Sequence, residues 1–553
     1  MAFLYSRNGL TGGKKHLQRA LEIFPGALSW SILAGMSALS FFQPLIAAII
    51  MIAFILFWVM RLFYMNIFLV ISYIRLSVDG RTDWLRRVGD VHDPAACLKN
   101  IQRMRLSAGW KERISLWLLA QQMDVLIKSG KFPPLLEDIH HLVIIPVIKE
   151  RRDIVEPGIK AMAQGTFSGR KVLIMIALEE RASDAVKQDM AVLGALYRKD
   201  FMDLCVVLHP ADLPGEARVK GANCTYAARQ AADIFSARGI PFEHVLVSCF
   251  DADTMATPDY LSCLTFHYMV NPDRDRASYQ PIPVYHNNIW EAPSFARVME
   301  IGTSFFQMIE STNPRKLVTF SSHSMSFKAL VDIGYWPVDM ISDDSAVFWK
   351  AFIHYKGAYR VIPMYTTVSM DIVTGRDWKS TLVNIYKQKR RWAWGVENLP
   401  IVFRAFLTQP QIPFKQKLVH AVKLLDTFIS WATWSILLAF VSWLPAVFSS
   451  REFETTTVYY TVPRIKGTIF ALASVGVVVC MVLSLSLLPK EPSPGRLWRR
   501  VLHVFEWLFM PLFVLILSAF PALDAQTRLM FGKYMEFQVT EKMRRKGSDG
   551  RSG

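Results

Sequence analysis

A chain of 553 residues has room for two or three domains. Hydrophobic residues make up 52% of it and gather toward both ends, which excludes an ordinary soluble protein. The net charge of +17 would suit nucleic acid, but much of the excess lies beside apolar runs, at Lys14, Lys15 and Arg19, at Arg81, Arg86 and Arg87, at Arg496, Arg499 and Arg500, and at Lys542, Arg544, Arg545 and Lys546. That placement belongs to cytoplasmic loops facing anionic headgroups and argues against a nucleic-acid partner.

In chain order, residues 1–76 hold a cytoplasmic segment and two membrane helices. The apolar run from Gly26 to Ile74 is long enough for two spans, broken at Phe41-Phe42-Gln43-Pro44. Arg61 is expected to mark the end of the membrane portion, with an amphipathic continuation at the interface. Residues 77–141 read as a helical connector, its apolar positions from Ala96 to Gly130 recurring at helical spacing. His140 and His141 open the next strand and, pointing to opposite faces, are expected at the surface rather than as joint metal ligands. From 142 to 400 short apolar strands (Leu142–Ile148, Val172–Leu178, Leu204–Leu208, Val245–Cys249) alternate with helical stretches (Ala182–Tyr197, Ala222–Arg238). Such alternation implies parallel strands with ligands at their carboxyl ends.

Residues 401–421 read as an interfacial helix region, and 422–523 as membrane, with spans at Val422–Phe448 and Thr468–Leu488 joined by a polar loop, Ser449–Lys466. The apolar run Val501–Leu523 carries Glu506, Pro511 and Pro521 and is either a kinked fifth span or a re-entrant hairpin. A basic cytoplasmic tail, 524–553, favours the hairpin or an interfacial helix. Six scattered cysteines without a C-x-x-C spacing indicate neither a disulfide framework nor a zinc site. No cleavage site follows a short apolar core near the N-terminus, so a removed signal peptide is not expected.

Three short motifs carry the chemistry. Asp251-Ala252-Asp253 places two carboxylates just beyond an apolar strand, where they suit a hard divalent cation bridging to phosphate oxygens; the alternative is an ordinary acidic loop. Ser342-Asp343-Asp344 offers a base for a hydroxyl acceptor; the alternative is a helix cap ahead of Ser345–His354. Gln388-Lys389-Arg390-Arg391-Trp392 sets Gln388, Arg391 and Trp392 on one helical face, an arginine for a diphosphate and an aromatic plane for a sugar ring. A basic-aromatic membrane anchor is the alternative there.

In this order the three motifs resemble those of the membrane-bound inverting glycosyltransferases that include cellulose, chitin and hyaluronan synthases. The resemblance covers Leu142 to Trp394, and the flanking membrane pattern extends it to most of the chain. It implies an α/β GT-A domain in the cytoplasm, flanked by transmembrane helices, in an integral plasma- or inner-membrane protein. It also implies a nucleotide-sugar donor of the UDP class, a carbohydrate or lipid-linked acceptor, and a divalent cation, Mg2+ or Mn2+. By resemblance Asp344 is the base, Asp343 a neighbour raising its pKa by like-charge repulsion, Asp251 a nucleotide or metal contact, and Asp253 a metal ligand. Glu179 or Glu180 stands where the family has an aspartate on the nucleobase, with Asp184 following. Lys220, in Lys220-Gly221-Ala222-Asn223, is a phosphate contact. The Gly-containing acceptor loop of the family is replaced by Thr319-Phe320-Ser321-Ser322-His323-Ser324, which makes His323 and Trp336 candidates for an acceptor pocket. The resemblance favours a processive polysaccharide synthase that exports its product. A transferase adding a single sugar and a non-catalytic membrane scaffold or transporter are the alternatives.

Overall fold

The computed structural model describes residues 3–105, 107–448, 457–489 and 502–535. The basic clusters at 496–500 and 542–546 lie outside the described residues. Two long helices open the chain, α1 (Gly12–Phe42) and α2 (Pro44–Asp79), with Pro44 in the first turn of α2, where its missing N–H costs nothing. The connector is three helices, α3 (Trp84–Asp90), α4 (Pro94–Met104) and α5 (Trp110–Ser129), of which α5 stops at Gly130, left-handed at φ +64°.

The α/β domain is one eight-stranded sheet in the order β3-β2-β1-β4-β7-β6-β8-β5. Its first half is parallel: β1 (His140–Val147), β2 (Val172–Glu179), β3 (Asp203–His209) and β4 (Val245–Cys249). β1, β2 and β4 are near-continuous buried runs, as strands covered on both faces must be, while β3 is the partly exposed edge. Crossover helices α6 (Arg152–Ala163), α7 (Asp184–Tyr197) and α8 (Lys220–Ala237) connect them. The second half is mixed: β5 (Met255–Ala256), β6 (Ala277–Val284), β7 (Ser324–Ser326) and β8 (Arg360–Ser369). β7 runs antiparallel between β4 and β6, so the sheet changes direction beside the carboxyl end of β4. Helices α9 (Tyr260–Met269), α10 (Ser294–Ser311), α11 (Phe327–Asp332), α12 (Asp343–His354), α13 (Trp378–Ala393) and α14 (Asn398–Thr408) complete the domain. After it come α15 (Phe414–Ala439), α16 (Thr457–Leu487) and α17 (Leu502–Met530).

Among the described residues four helices, α1, α2, α15 and α17, are long and apolar enough to cross a membrane, the pattern of a membrane protein. Two sequence expectations change here, at 457–466 and at His141. Arg61 lies within α2, which runs on to Asp79, and its guanidinium meets Asp426 of α15 at 2.6 and 2.9 Å, which satisfies the charge in place. The stretch 457–466, expected in a polar loop, is the first part of α16, while 449–456 lies outside the described residues. Of the two readings left open for Val501–Leu523, the described residues take the form of the kinked span: α17 is one continuous helix, its prolines absorbed by a 3₁₀ turn at Trp507–Phe509 and a π turn at Leu515–Ala519. His141 is fully buried, with its Nε2 2.8 Å from Thr265 Oγ1, and burial pushes its pKa down to about 3.

Candidate active site

The carboxyl end of β4 delivers Asp251 and Asp253, with Ala252 packed into the core between them. Asp253 is buried at 1% exposure, and its Oδ2 accepts the Asp371 amide at 2.8 Å. Asp251 accepts the Ser321 hydroxyl. Ser321 belongs to the 319–324 loop, where Ser322 sits in the left-handed region at φ 59°. A serine thus adopts the backbone that a glycine would take without strain, at a cost of about 1–2 kcal/mol. Its hydroxyl lies 2.7 Å from Thr254 Oγ1, tying the loop to the aspartate turn.

Helix α12 brings Asp343 and Asp344 to the same place. Ser342 holds the N-cap position without capping: its amide and hydroxyl instead donate to Glu397 Oε1 at 3.1 and 2.8 Å. Glu397, itself buried, also accepts the Trp394 indole N–H at 3.0 Å and thereby fixes the start of α12. Asp343 is buried, and desolvation, with the Asp344 charge adding to it, pushes its carboxyl well above the usual range. The side chain of Asp344 is partly open.

Lys220, at the first turn of α8, joins the two acidic motifs. Its ammonium is 2.8 Å from Asp251 Oδ1 and 2.9 Å from Asp344 Oδ1. Burial works against its charge, but Asp251 and Asp344 outweigh burial and raise its pKa well above the usual lysine value. Gly221 makes the approach possible, since a Cβ there would stand 2.3 Å from the Pro337 carbonyl oxygen and 3.1 Å from Asp343 Cβ. His323 lies beneath this pair, fully buried, with Nδ1 2.9 Å from the Phe320 carbonyl and 3.8 Å from Asp344 Oδ1. Burial lowers its pKa, so the ring is a neutral neighbour of Asp344 rather than an open wall of a pocket.

The third motif lies on α13, which starts in a capping box between Asp377 and Ser380. Half-buried Arg391 lies in the field of Asp251, Asp343 and Asp344, whose charges oppose the lowering that desolvation imposes on it. Gln388 is buried at the same helix face. The Trp392 ring lies 6.5 Å from that of Tyr285, tilted by 39°. Arg390 turns the other way, to Asp524 of α17 at 2.8 Å.

Other sequence candidates fall elsewhere. Trp336 is buried at 1% within the core beneath α8 and α12 and offers no face to a ligand. Glu179 pairs with Arg181, and Glu180 accepts the Ala211 amide at 2.7 Å, both at the end of β2. Asp184 is fully exposed at the start of α7. Tyr285, Ser321, Lys389, Glu300 and Glu397 lie in or behind the site without having been singled out. Of these Lys389 lay inside the third motif, at one of its unspecified positions, and Ser321 inside the 319–324 loop.

The donor set fits a divalent cation. Asp251 and Asp253 would supply hard oxygen ligands at one strand end, and among the described residues no group of three or more His, Cys, Asp or Glu is placed to hold a metal ion by itself. Such a site suits a cation held by one or two carboxylates and completed by substrate phosphates.

The sheet, with its acidic turn at the end of β4 and the acid and arginine brought against it, is that of a GT-A glycosyltransferase. The chain belongs to glycosyl transferase family group 2, whose model matches residues 246–522, half of its length. It is similar to the poly-beta-1,6-N-acetyl-D-glucosamine synthase of Staphylococcus aureus strain COL, 42% identical over 67 residues. That stretch spans 12% of this chain and only 14% of the relative. Among solved structures it is similar to the mannosyltransferase PcManGT from Pyrobaculum calidifontis in complex with GDP-Man and Mn2+, at 15% identity and a TM-score of 0.38, over 72% of this chain and 98% of that one. It is also similar to S. aureus TarS 1-349 in complex with UDP-GlcNAc, at 12% identity and a TM-score of 0.35, over 74% and 98%.

Proposed function

We propose that this glycosyltransferase extends a polysaccharide from a UDP-sugar on the cytoplasmic side of the membrane and passes the product out between its own helices. The likeness to a poly-N-acetylglucosamine synthase makes N-acetylglucosamine the first sugar to test. The observation that carries the reading is the meeting of all three motifs, with Lys220 bridging Asp251 to Asp344 and Arg391 in the field of both acids. The link from α13 to α17 through Arg390 and Asp524 favours coupling to the membrane helices over single addition to a lipid-linked or short acceptor.

In this reading Asp344 takes the proton of the acceptor hydroxyl as its oxygen attacks the anomeric carbon. The new carbon–oxygen bond forms as the bond to the nucleoside diphosphate breaks on the opposite face, so configuration inverts. Arg391 and Lys220 offset the negative charge gathering on the departing diphosphate. Asp251 and Asp253 would hold Mg2+ or Mn2+, which when bound supplies further charge neutralisation there. Trp392 and Tyr285 form the floor for the acceptor sugar.

The test is purified protein in lipid nanodiscs, assayed against a panel of UDP- and GDP-sugars for nucleotide release and product length. Long product from one UDP-sugar is expected. Equal use of all donors, or a product one sugar longer than the acceptor, would overturn the synthase reading. A reporter fusion placing Phe250 outside the cell would overturn the topology.

A further inference from the structure

Lys389 stands inside the third motif at a position to which no role has been given. It is buried at 2% exposure, and so is its partner Glu300 on α10, at 1%. The ammonium lies 2.9 Å from Glu300 Oε1, 2.9 Å from Thr303 Oγ1, and 3.9 Å from the centroid of the Trp392 ring. An ammonium has three N–H donors, and three partners surround this one. Holding α13 against α10 does not require such a pair, because an apolar contact does so without desolvating two charges.

We propose that Lys389, with Glu300 as counter-charge, is a positioning residue that sets the plane of Trp392 for the acceptor sugar. The inference rests on the reading that Trp392 carries the acceptor. A tryptophan half open to a site has rotamers to choose from. A cation over one face selects one of them and leaves the other face for a ligand. The ammonium is itself fixed by a carboxylate and a hydroxyl one turn apart on α10, so the ring inherits its orientation from that helix. Tyr285 completes the floor at 6.5 Å, and its phenol lies in the field of Glu300, Asp251 and Asp253, which sets the floor next to the reacting end.

The test uses the full chain in lipid nanodiscs, with UDP-N-acetylglucosamine as donor and a short β-1,6-linked N-acetylglucosamine oligomer as acceptor. Lys389→Met with Glu300→Gln removes both charges together and avoids stranding one of them. The acceptor KM is expected to rise about tenfold, and the donor KM to move less. In a Trp392→Ala background the same pair of substitutions should add nothing further. Should the neutral pair fail to fold, Glu300→Asp retains both charges and draws the ammonium off the ring, and a raised acceptor KM is again expected. If Trp392→Ala raises the acceptor KM while the neutral pair, or Glu300→Asp in its place, does not, or if the effects add in full, the positioning role is overturned and the acceptor reading stands. If Trp392→Ala leaves the acceptor KM unchanged, the acceptor reading falls and this role falls with it.

Discussion

Strand β2 reads Val-Leu-Ile-Met-Ile-Ala-Leu-Glu and is buried almost end to end, whereas β7, three residues long, is Ser-Met-Ser and equally buried. The two halves of the sheet are thus stabilised differently. The parallel half, its edge strand β3 apart, is covered apolar surface, worth about 25 cal/mol per Å² removed from water. The mixed half buries polar groups and satisfies them across strands. Ser324 Oγ lies 2.6 Å from Ser248 Oγ and 2.8 Å from the Tyr260 hydroxyl, Gln280 accepts the Phe320 amide at 2.8 Å, and Ser278 meets the Tyr359 hydroxyl at 2.7 Å. Directional bonds fix orientation where apolar contact fixes only position. The 319–324 loop, which touches Asp251 and the Asp344 backbone, hangs from the directional half. One half supplies a platform, and the other aims the acids.

The sharpest way to break that comparison is at the acids. Asp344→Asn keeps the shape but cannot take a proton, so transfer should fall by about 10² to 10⁴ while donor still binds. Titration calorimetry alongside nucleotide release separates the two, and a loss under tenfold would move the chemistry elsewhere. Asp253→Ala should abolish divalent-dependent donor binding and lower turnover by about 10² to 10³. Unchanged turnover would make the Asp251–Asp253 turn an ordinary loop.

Two core substitutions then set the halves against each other. Ile176→Ala in β2 should cost about 2–5 kcal/mol of stability and leave kcat intact in whatever folds. Ser324→Ala in β7 should cost less, about 1–3 kcal/mol, yet lower kcat, because Ser248 and Tyr260 lose their partner beneath the site loop. Thermal unfolding with kcat on the same samples tests this, and an unaffected kcat in Ser324→Ala would sink the division of labour.

Acidification probes both halves at once. Burial pushes His141 and His267 down to about 3 and His286 to about 4. Below about pH 6.5 the unfolded chain takes up protons that the native state refuses, so stability is full above that pH and is lost as pH falls. Each histidine should contribute about 1.4 kcal/mol per pH unit, and His267→Gln should flatten the dependence of Tm on pH between 6.5 and 5 by one proton's worth. At the open edge, Leu208→Thr in β3, exposed at 46%, should change stability by less than about 0.5 kcal/mol and activity not at all.

The parallel half was legible in the sequence because its strands are unbroken apolar runs; the expected strand at Val245–Cys249 has the same limits in the structure. The mixed half was not. β5 has two residues, β7 is mostly serine, and β6 carries Pro281 and Pro283 beside an irregularity between Gln280 and Ile282, so none shows a periodicity. The acids and the arginine could be named from their motifs. Their second layer could not, because Ser342 and Glu397 or Glu300 and Lys389 meet across long separations that no local spacing encodes. Trp336, named for an acceptor pocket because the 319–324 loop departs from the family, is a core residue in space.

Lys389, Arg390 and Arg391 are consecutive, and a helix turns about 100° per residue. The three cations therefore face three different bodies: Glu300 on α10, Asp524 on α17, and the acids at the sheet. An axle keyed on three sides can neither spin nor slide without breaking a charge pair. One alanine inserted between Asp377 and Gln388 would rotate every key by about 100° and lift it by about 1.5 Å, which no rotamer change could repair. By the same keying, α17 is joined through Asp524 and Arg390 to the one helix that carries both Arg391 and Trp392.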